Sequence, residues 1–597
     1  MSFNLSLRFC TFETMKYPKI PLAQTVIQLC KAKDIKHIVI SPGSRNAPLT
    51  IGFTNNPYFK CYSVVDERCA AFFALGIAQQ LQEPTAVVCT SGSALLNYYP
   101  AVAEAFYSAI PLVVLSADRP KHLIGVGDGQ TINQKNVFKN HILYSANLKL
   151  DLNEDSELED ELPIFKNLEN KLETLLGLKK GVQDYNEEEI NIAINIAFFK
   201  NGPVHINIPF NEPLYEMVDA PTVQPKITPI AYKSLQIEDS VLSDCISEWN
   251  SASKIMVLVG VSQPHTIEQQ WLDTLAKDDR VMVFTETTSN LHHDDFFPSI
   301  DKIIALLKDE DLKTLQPEIL LTFGGLIVSK KIKAFLRKYK PNQHWHIDLN
   351  KANDTFFSLT KFIQTSPNYF FSKFLSEIKT KESAYKSNFK AVKTQRHNKH
   401  NAYLKDIGFS DLKAFEIILK AIPNHTILQL GNSSTVRYAQ LFDLNKTLEV
   451  FCNRGTSGID GSTSTAIGCA VANTKQTTLI SGDLSFLYDS NALWNNYIPN
   501  NFRIIIINNR GGGIFRILPG HKNTENFDRY FETKHELTAE HICKMYDFEY
   551  MTVSNETNLK SSLDSFYSTS HQPKLLEIFT PKHLNDEVLL QYFESIG

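Results

Sequence analysis

The sequence predicts an α/β protein made of three open parallel-sheet domains, and two observations support this prediction. Short β-branched runs alternate with helical patterns through most of the 597 residues, and such alternation is typical of parallel sheets covered by helices. A proline-containing stretch, 215–236, and a polar, lysine-rich stretch, 379–403, interrupt the alternation. We therefore expect an N-terminal α/β domain at 1–215, a middle α/β domain at 237–380 and a C-terminal α/β domain at 404–597.

The strands predicted in the first domain are apolar runs that end at small or polar residues. The second run is followed by the long helical pattern "RCAAFFALGIAQQL". The five runs are "KHIVI" (36–40), "CYSVV" (61–65), "TAVVCT" (85–90), "PLVVLSA" (111–117) and "GPVHINIP" (202–209).

The two later domains repeat this style, and the lysine-rich stretch between them is expected to be a solvated helix or a linker. The middle domain contains "KIMVLVG" (254–260), "RVMVFTE" (280–286), "EILLTFGG" (318–325) and "HWHIDL" (344–349). The last domain contains "TILQLG", "TLEVFCN", "TTLISG" and "RIIIINN".

The composition excludes several classes of protein. The formal net charge of −5 leaves no basic footprint for nucleic acid. Nine cysteines without a Cys-x-x-Cys pair argue against a zinc site or a disulfide framework, and they favour a reducing cytoplasm. The longest apolar runs are too short to span a membrane. Arg8 interrupts the first apolar stretch, so we expect no signal peptide.

Polar residues follow the first two predicted strands, at the sheet edge where open parallel sheets bind ligands. Ser44 and Arg45 precede a helix whose first N–H groups suit an anion, and an arginine can bind a carboxylate through two hydrogen bonds. The same residues would also fit an ordinary strand–helix turn. Asp66 and Glu67 end the second strand, and Glu67 is either a helix-start residue or a buried acid with a raised pKa.

Four arginines at predicted strand ends indicate a site for a substrate with several negative charges. The four are Arg45, Arg119, Arg437 and Arg454. Two uncharged polar residues, Gln130 in the first domain and Ser433 in the last, also follow predicted strands. A small-residue turn, "CTSGSALLN", contains Thr90 and allows a ligand to approach the backbone.

A carboxylate and a carboxamide end two successive strands of the last domain. Asp483 follows "TTLISG", and Asn509 ends "RIIIINN" and precedes three glycines at 511–513. If the two strands are neighbours, both side chains point into one crevice. Oxygen ligands of this kind fit Mg²⁺, which usually shares its coordination with substrate phosphates. A polar strand end and a helix cap would explain the same residues.

These segments together resemble the thiamine diphosphate enzymes, and within them the branch that acts in menaquinone biosynthesis. The resemblance covers both end domains in order, whereas the middle domain matches only in style. Gly482-Asp483-Leu484 departs from the usual Gly-Asp-Gly. The matching segments are "SPGSR", "DERCAAFFALG", "TSGSA", "ADRP", "NRGTSGIDGSTSTAIG", "SGDLSFLYDSNAL" and "NNRGGGIFRILP".

The resemblance implies a transferase that uses thiamine diphosphate and Mg²⁺ (or Mn²⁺). Its expected reaction is the decarboxylation of 2-oxoglutarate, followed by conjugate addition of the succinyl carbanion equivalent to isochorismate. It also implies a homodimer or homotetramer, because the cofactor of this family lies between the first domain of one chain and the third domain of another.

The resemblance also assigns roles to individual residues. Glu67 is expected to hydrogen-bond the aminopyrimidine ring and to act in catalysis together with Arg45 and Gln130. The expected metal ligands are Asp483, Asn509 and the Gly511 carbonyl. The remaining cofactor contacts are Thr90, Ile459, Ile514 and Phe515, and the substrate contacts are Ser44, Arg45, Arg119, Gln130, Ser433, Arg437, Arg454, Leu518 and, from the middle domain, Lys331 with Lys330 nearby.

Three alternatives remain open at this point. An acetolactate-type synthase or a simple 2-oxoacid decarboxylase would handle small, singly charged products and would have less use for four arginines. A catalytically silent ligand-binding protein would have no need of Glu67. A nucleotide-binding dehydrogenase would show Gly-x-Gly-x-x-Gly after an early strand, and this sequence does not.

Overall fold

A computed structural model describes residues 15–151, 181–230, 236–517 and 524–597. The chain divides into two compact units. The first comprises Met1–Val102 and Ile110–Ala231, and the second comprises Ala103–Ala109 and Tyr232–Gly597. Parallel sheets flanked by helices fill both units, so the predicted α/β class is confirmed. The predicted middle and C-terminal domains both belong to the second unit.

The first unit contains a six-stranded sheet in the order β3-β2-β4-β5-β7-β6, parallel throughout, and a short antiparallel pair, β1 and β8. Its strands are β1 (Tyr17–Pro18), β2 (His37–Ile40), β3 (Lys60–Ser63), β4 (Thr85–Cys89), β5 (Leu112–Asp118), β6 (Tyr144–Asn147), β7 (Val204–Pro209) and β8 (Met217–Val218). The helices are α1 (Pro21–Ala32), α2 (Ala47–Thr54), α3 (Glu67–Leu81), α4 (Ser93–Asn97), α5 (Tyr99–Ser108), whose last turns belong to the second unit, and α6 (Val182–Lys200).

The second unit begins with a five-stranded parallel sheet in the order β10-β9-β11-β12-β13. Its strands are β9 (Ile255–Val259), β10 (Val281–Thr285), β11 (Ile319–Phe323), β12 (Gln343–Ile347) and β13 (Lys361–Ile363). The helices are α7 (Asp239–Ser251), α8 (Gln269–Lys277), α9 (Ile300–Ile304), α10 (Asp309–Leu315), α11 (Lys330–Lys338), α12 (Pro367–Phe374) and α13 (Ala384–Asp406). The lysine-rich stretch is therefore mostly helix α13.

The last sheet of the second unit has six parallel strands in the order β15-β14-β16-β17-β19-β18. Its strands are β14 (Ile427–Leu430), β15 (Glu449–Cys452), β16 (Thr477–Gly482), β17 (Phe502–Asn508), β18 (Glu549–Val553) and β19 (Lys574–Phe579). The helices are α14 (Asp411–Ala421), α15 (Ser434–Ala439), α16 (Ser462–Val471), α17 (Asp483–Tyr488), α18 (Ile514–Ile517), α19 (Glu540–Met545), α20 (Glu556–Tyr567) and α21 (Asn585–Ile596).

The two six-stranded sheets have the same topology. In each, the second strand in chain order lies at one edge, followed by the first, third, fourth, sixth and fifth. The strand order therefore reverses between β2 and β4 in the first unit and between β14 and β16 in the second. Ligands of open parallel sheets bind at such a reversal, beyond the carboxyl ends of the strands.

Continuous apolar runs form the central strands because both faces of each sheet are covered. Every residue of β5 and of β17 is buried. The four isoleucines at 504–507 fill the core on both faces of β17, and each contributes about 1.5–3 kcal/mol relative to exposure. Among the described helices, none is long and apolar enough to cross a membrane.

Candidate active site

Four loops of the first unit follow the adjacent parallel strands β3, β2, β4 and β5, so they share one edge of the sheet. These loops, together with the first residue of the helix that follows β3, contain every site residue predicted in the first domain. The loop after β2 and the turn after β4 interlock, because a Cβ added at Gly43 would lie 2.3 Å from Cβ of Thr90. The turn after β4 in turn meets the loop after β5, where a Cβ at Gly92 would lie 3.0 Å from the Gln130 carbonyl oxygen.

Arg45 is a buried cation, with 5% of its surface exposed. Its Nη1 donates to the Phe210 carbonyl at 3.2 Å, and its Nη2 lies 3.2 Å from Oε1 of the exposed Glu212. Among the described residues, its Nε has no hydrogen-bond partner. The guanidinium therefore keeps donor capacity for an anion, and the exposed Ser44 lies beside it in the chain.

Asp66 and Glu67 form the start of helix α3, which agrees with the helix-start role left open for Glu67. Asp66 caps helix α3, since its Oδ1 accepts a 3.1 Å hydrogen bond from the Cys69 N–H. Glu67 is the first residue of the helix, and its Oε2 accepts from Asn97 Nδ2 at 3.4 Å. The cap belongs to Asp66, so the half-buried Glu67 carboxylate is available to meet a ligand.

The turn after β4 is held by a buried glutamine. The Gly92 N–H donates to Oε1 of Gln134 at 2.9 Å, and Gln134 is fully buried. The Thr90 hydroxyl is also buried and has no hydrogen-bond partner within the described residues. In the next loop, Arg119 donates from Nη2 to the Gly129 carbonyl at 2.8 Å, and Gln130 is exposed. Gln134 thus fixes the turn while the Thr90 hydroxyl is left for a ligand.

Asp483 and Asn509 follow neighbouring strands and border one cavity of about 180 Å³. Strands β16 and β17 pair in parallel with Gly482 opposite Ile507, so the next residues of both strands reach the same sheet edge. The same cavity is lined by Ser433, Ile459, Gly511, Ile514 and Phe515.

Asp483 is buried and faces a ring of donors. Its Oδ1 accepts from the Leu484 N–H at 2.6 Å, and its Oδ2 accepts from the Gly511 N–H at 3.0 Å. Nε2 of His535 lies 3.2 Å from the same Oδ2. Gly511 has a φ of +147°, and a Cβ there would lie 2.6 Å from the Glu532 carbonyl oxygen. Only glycine therefore fits the backbone that brings this N–H to Asp483.

Asn509 is oriented by Asp411, a buried carboxylate that the sequence analysis did not identify. Asn509 Nδ2 donates to Asp411 Oδ2 at 3.0 Å, and Thr580 Oγ1 donates to Asp411 Oδ1 at 2.6 Å. Burial, with the neighbouring Asp483 charge adding to it, raises the pKa of Asp411 to about 6. An ionised carboxylate only accepts hydrogen bonds, so the Asn509 nitrogen faces Asp411 and its amide oxygen is left for a ligand.

The donor set at this cavity fits a hard divalent cation. It offers a carboxylate from Asp483, an amide oxygen from Asn509 and the backbone carbonyl of Gly511, which accepts from the Gly513 N–H at 3.0 Å. Within the described ranges, no cluster of three or more His, Cys, Asp or Glu side chains could hold a metal. Oxygen-only donors of mixed type are those that Mg²⁺ takes when it shares a phosphate.

Arg437 and Arg454 form a cationic cluster in the second unit. Arg437 Nη1 donates to the Ser433 carbonyl at 2.6 Å, and Arg454 Nη1 donates to Asn432 Oδ1 at 2.6 Å. Burial, and then the like charge of Arg454, lower the pKa of Arg437. Two cations in one partly buried region favour an anionic ligand.

The middle segment contributes Glu286 and Lys333 to the surroundings of Arg454. Glu286 accepts from the N–H groups of Val328 and Ser329 at 2.7 Å each, and burial raises its pKa to about 7. Lys333 is half-buried, and the charges of Glu286 and Arg454 both act on its pKa, which burial lowers.

The two lysines named from the sequence lie on the outside of helix α11. Lys331 is exposed, and its Nζ lies 4.6 Å from the ring centroid of Phe593. Lys330, the first residue of the helix, is also exposed. Their neighbour Lys333 differs from them in being half-buried and in lying where the charge of Arg454 acts on it.

The apolar wall of the cavity includes Ile459, Ile514 and Phe515. The Ile459 carbonyl accepts from Ser485 Oγ at 3.1 Å, which fixes the loop beside the cavity. Leu518 lies outside the described residues. Arg510, which separates two of the proposed ligands, is exposed and pairs through Nη1 with Glu536 at 3.0 Å.

Comparison with known proteins identifies the family. Residues 20–142 match the thiamine pyrophosphate enzyme N-terminal TPP-binding domain, and residues 431–578 match the C-terminal TPP-binding domain. Three relatives that match nearly the whole chain carry the name 2-succinyl-5-enolpyruvyl-6-hydroxy-3-cyclohexene-1-carboxylate synthase.

The Flavobacterium psychrophilum synthase is 56% identical over 98% of this chain and 100% of its own length. The Christiangramia forsetii synthase is 56% identical over 97% of this chain and 99% of its own length. The Flavobacterium johnsoniae synthase is 53% identical over 98% of this chain and 100% of its own length. The chain therefore belongs to the 2-succinyl-5-enolpyruvyl-6-hydroxy-3-cyclohexene-1-carboxylate synthase family of thiamine diphosphate-dependent enzymes.

Proposed function

We propose that the protein decarboxylates 2-oxoglutarate and adds the resulting succinyl carbanion equivalent to isochorismate, in menaquinone biosynthesis. The product would be 2-succinyl-5-enolpyruvyl-6-hydroxy-3-cyclohexene-1-carboxylate, for which the relatives are named. One observation supports the choice of substrates, namely that Arg437 and Arg454 hydrogen-bond to Ser433 and Asn432, two residues that line the Asp483 cavity. Isochorismate carries two carboxylates, and 2-oxoglutarate keeps one after decarboxylation, so several cations are needed in a partly dry cleft.

Thiamine diphosphate, when bound, supplies the carbanion chemistry, and the protein supplies orientation and charge. Glu67 would hold a proton at a ring nitrogen of the aminopyrimidine, and Thr90 would contact the same ring through its buried hydroxyl. Ile459, Ile514 and Phe515 would pack against the cofactor.

The diphosphate end of the cofactor would be held through Mg²⁺ or Mn²⁺. The ligands from the protein would be Asp483, Asn509 and the Gly511 carbonyl, and the geometry that supports them is the shared cavity and the orientation of Asn509 by Asp411. Asp483→Ala should then abolish metal-dependent cofactor binding in calorimetry. Unchanged affinity would refute this assignment.

Seven residues would receive the substrates, and Arg45 and Gln130 would also act next to the reacting atoms. Each lies in the loop or helix that follows a strand of one of the six-stranded sheets, and each carries donor groups that suit a carboxylate or hydroxyl. Lys333 joins Lys331 as a candidate from the middle segment, because Lys333 is half-buried and the charge of Arg454 acts on it. The seven are Ser44, Arg45, Arg119, Gln130, Ser433, Arg437 and Arg454.

The positions of the proposed cofactor contacts give each predicted domain a role. We assign 1–215 to pyrimidine binding, 404–597 to diphosphate binding, and 237–380 to a middle domain that contributes Lys333. Cytoplasmic location is supported by the described cysteines, none of which forms a disulfide.

A homodimer or homotetramer is proposed, in which Glu67 of one chain acts on the cofactor held by Asp483 of another. Co-expression of Glu67→Gln and Asp483→Ala chains with different tags tests this. Mixed dimers would contain one intact site of two, so about half of the wild-type activity should return. If the mixed dimers stay as inactive as either parent, both residues serve the same chain's site.

The reaction is tested by a turnover assay with thiamine diphosphate, Mg²⁺, 2-oxoglutarate and isochorismate. Isochorismate should be consumed only when 2-oxoglutarate is present, and pyruvate should compete poorly as a donor. The alternative is an acetolactate-type synthase or a 2-oxoacid decarboxylase. Efficient use of pyruvate without isochorismate would favour that alternative over the proposed function.

A further inference from the structure

Glu104 is a buried carboxylate in helix α5, within the Ala103–Ala109 segment that belongs to the second unit. Only 1% of its surface is exposed. Its Oε1 accepts from the Gly455 N–H and from Ser108 Oγ, both at 2.7 Å. Its Oε2 accepts from the Thr456 N–H at 2.6 Å and from Thr456 Oγ1 at 2.8 Å. Four donors thus converge on one carboxylate, and three of them come from a single loop.

This loop, residues 453–461, connects strand β15 to helix α16. It contains Arg454, which directly precedes Gly455, and Ile459, which lines the Asp483 cavity. Asn432 Nδ2 holds the loop at a different place, by donating to the carbonyls of Asn453 and Gly458 at 2.7 Å each. Glu104 is therefore the group that fixes the backbone immediately after Arg454.

The contact between the loop and the helix is close enough to require glycine. A Cβ added at Gly455 would lie 2.6 Å from the Glu104 carbonyl oxygen and 2.8 Å from Ser108 Oγ. The backbone of Gly455 can reach the carboxylate only because it has no side chain on this side. The hydrogen bond between the Gly455 N–H and the Glu104 carboxylate thus requires glycine at position 455.

A carboxylate satisfies these donors better than an amide of the same shape. Two N–H groups approach different oxygens of Glu104, and a carboxylate accepts on both. In Glu104→Gln one oxygen becomes an NH₂ group, which would face a loop N–H and leave it without an acceptor. The substitution therefore releases one side of the loop without creating a cavity.

We propose that Glu104 is a positioning residue, which holds the loop in the conformation that presents Arg454 to an anionic substrate. The proposal rests on the proposed function in one respect, that Arg454 binds a substrate carboxylate. It predicts that Glu104 acts through Arg454 and not through general stability.

The kinetic test compares Glu104→Gln, Arg454→Gln and the double variant as holoenzymes. Arg454→Gln identifies which of the two substrates depends on Arg454. Glu104→Gln should raise KM for that same substrate about 10-fold, with a smaller change for the other. The double variant should then be no more than about 2-fold worse than Arg454→Gln alone, because residues that act as one unit are not additive. Multiplicative losses, or equal losses for both substrates, would overturn the proposal.

Two further variants distinguish loss of the hydrogen bonds from the loop to Glu104, which we call the clamp, from a general folding defect. Ser108→Ala removes the donor that comes from the helix and leaves the three loop donors, so its kinetics should match wild type. Gly455→Ala keeps the Glu104 side chain but adds a Cβ 2.6 Å from the Glu104 carbonyl oxygen and 3.0 Å from Oε1 of its carboxylate. The loop must move away from the helix, so this variant should reproduce the KM effect of Glu104→Gln. If Glu104→Gln fails to fold, Gly455→Ala still decides. Wild-type kinetics in Gly455→Ala would overturn the proposal.

Hydrogen exchange tests the clamp independently of any reaction. Amides of a peptide covering 453–461 should exchange about 10-fold faster in Glu104→Gln, with little change in strands β16 and β17. Unchanged exchange in the loop would refute the clamp even in an active enzyme. Faster loop exchange in a protein that does not use isochorismate would keep the clamp and reject the proposed function instead.

Discussion

Asp411→Asn is the sharpest test of how the metal ligands are oriented. The substitution keeps the size of the side chain and replaces its two acceptor oxygens by one oxygen and one NH₂ group. In the unsubstituted protein, Asn509 Nδ2 and Thr580 Oγ1 each donate to a separate oxygen of Asp411, at 3.0 and 2.6 Å. In the variant the amide of Asn509 loses the acceptor-only partner that sets its orientation.

The hydrogen bond to Asn509 sets the size of the effect. A hydrogen bond to a charged group contributes about 1.5–3 kcal/mol, which corresponds to about 10- to 150-fold in affinity. We expect the Mg²⁺-dependent affinity for thiamine diphosphate to fall by at least about 10-fold in Asp411→Asn. The measurement is calorimetry at pH 8, well above the pKa of about 6 for Asp411.

Thr580→Val is the matched control. It removes the other hydrogen bond to Asp411 and leaves the bond to Asn509, so cofactor affinity should change by less than about 3-fold. Denaturant unfolding of both variants shows whether they lose similar stability. The reasoning is refuted if both variants lose cofactor affinity equally, since the loss would then reflect a loosened core and not the orientation of Asn509.

Three other predictions concern single residues. Glu67→Gln should lower turnover about 100-fold or more, the usual scale of acid–base assistance, and near-normal turnover would reject that role. Arg45→Ala should lower kcat/KM for isochorismate about 10-fold or more and leave calorimetric cofactor affinity nearly unchanged, whereas equal losses would indicate misfolding. Burial raises the pKa of Glu286 from 4.5 to about 7, so its ionisation opposes folding. This group should lower the free energy of unfolding by about 3 kcal/mol as pH rises from 4.5 through 7. Glu286→Gln should remove this pH dependence of the free energy of unfolding, measured by denaturant titrations at several pH values. An unchanged pH dependence would contradict the raised pKa of Glu286.

Most strands predicted from the sequence are largely buried apolar runs, whereas four of the strands that the prediction missed have an identifiable physical reason. Strands β6, β13 and β18 lie at sheet edges, where polar residues are tolerated. Strand β19 is central but contains Lys574 and Glu577, both buried. Glu577 accepts from Asn508 Nδ2 at 2.7 Å, so its charge serves the interior and conceals the strand pattern.

For the site, the sequence predicts residues whose position depends on the strand order, but not residues that contact segments far away in the chain. Residues at strand ends, such as Arg45 and Asp483, could be named because topology alone brings such positions to one edge. Asp411 and Glu104 could not, because each acts on a segment far away in the chain, Asn509 and Gly455 respectively. Lys333 differs from Lys331 only by the face of helix α11 that it occupies, and that face is set by packing.

The interlocked loops of the first unit have a thermodynamic consequence. Gly43 has no room to move toward Thr90, and Gly92 has little toward Gln130. A ligand that shifts the Thr90 turn must therefore shift the segments bearing Arg45 and Gln130 with it. Under the proposed roles of Thr90, Arg45 and Gln130, binding of the cofactor ring and binding of the acceptor are linked equilibria, so each would change the affinity of the other by the same factor.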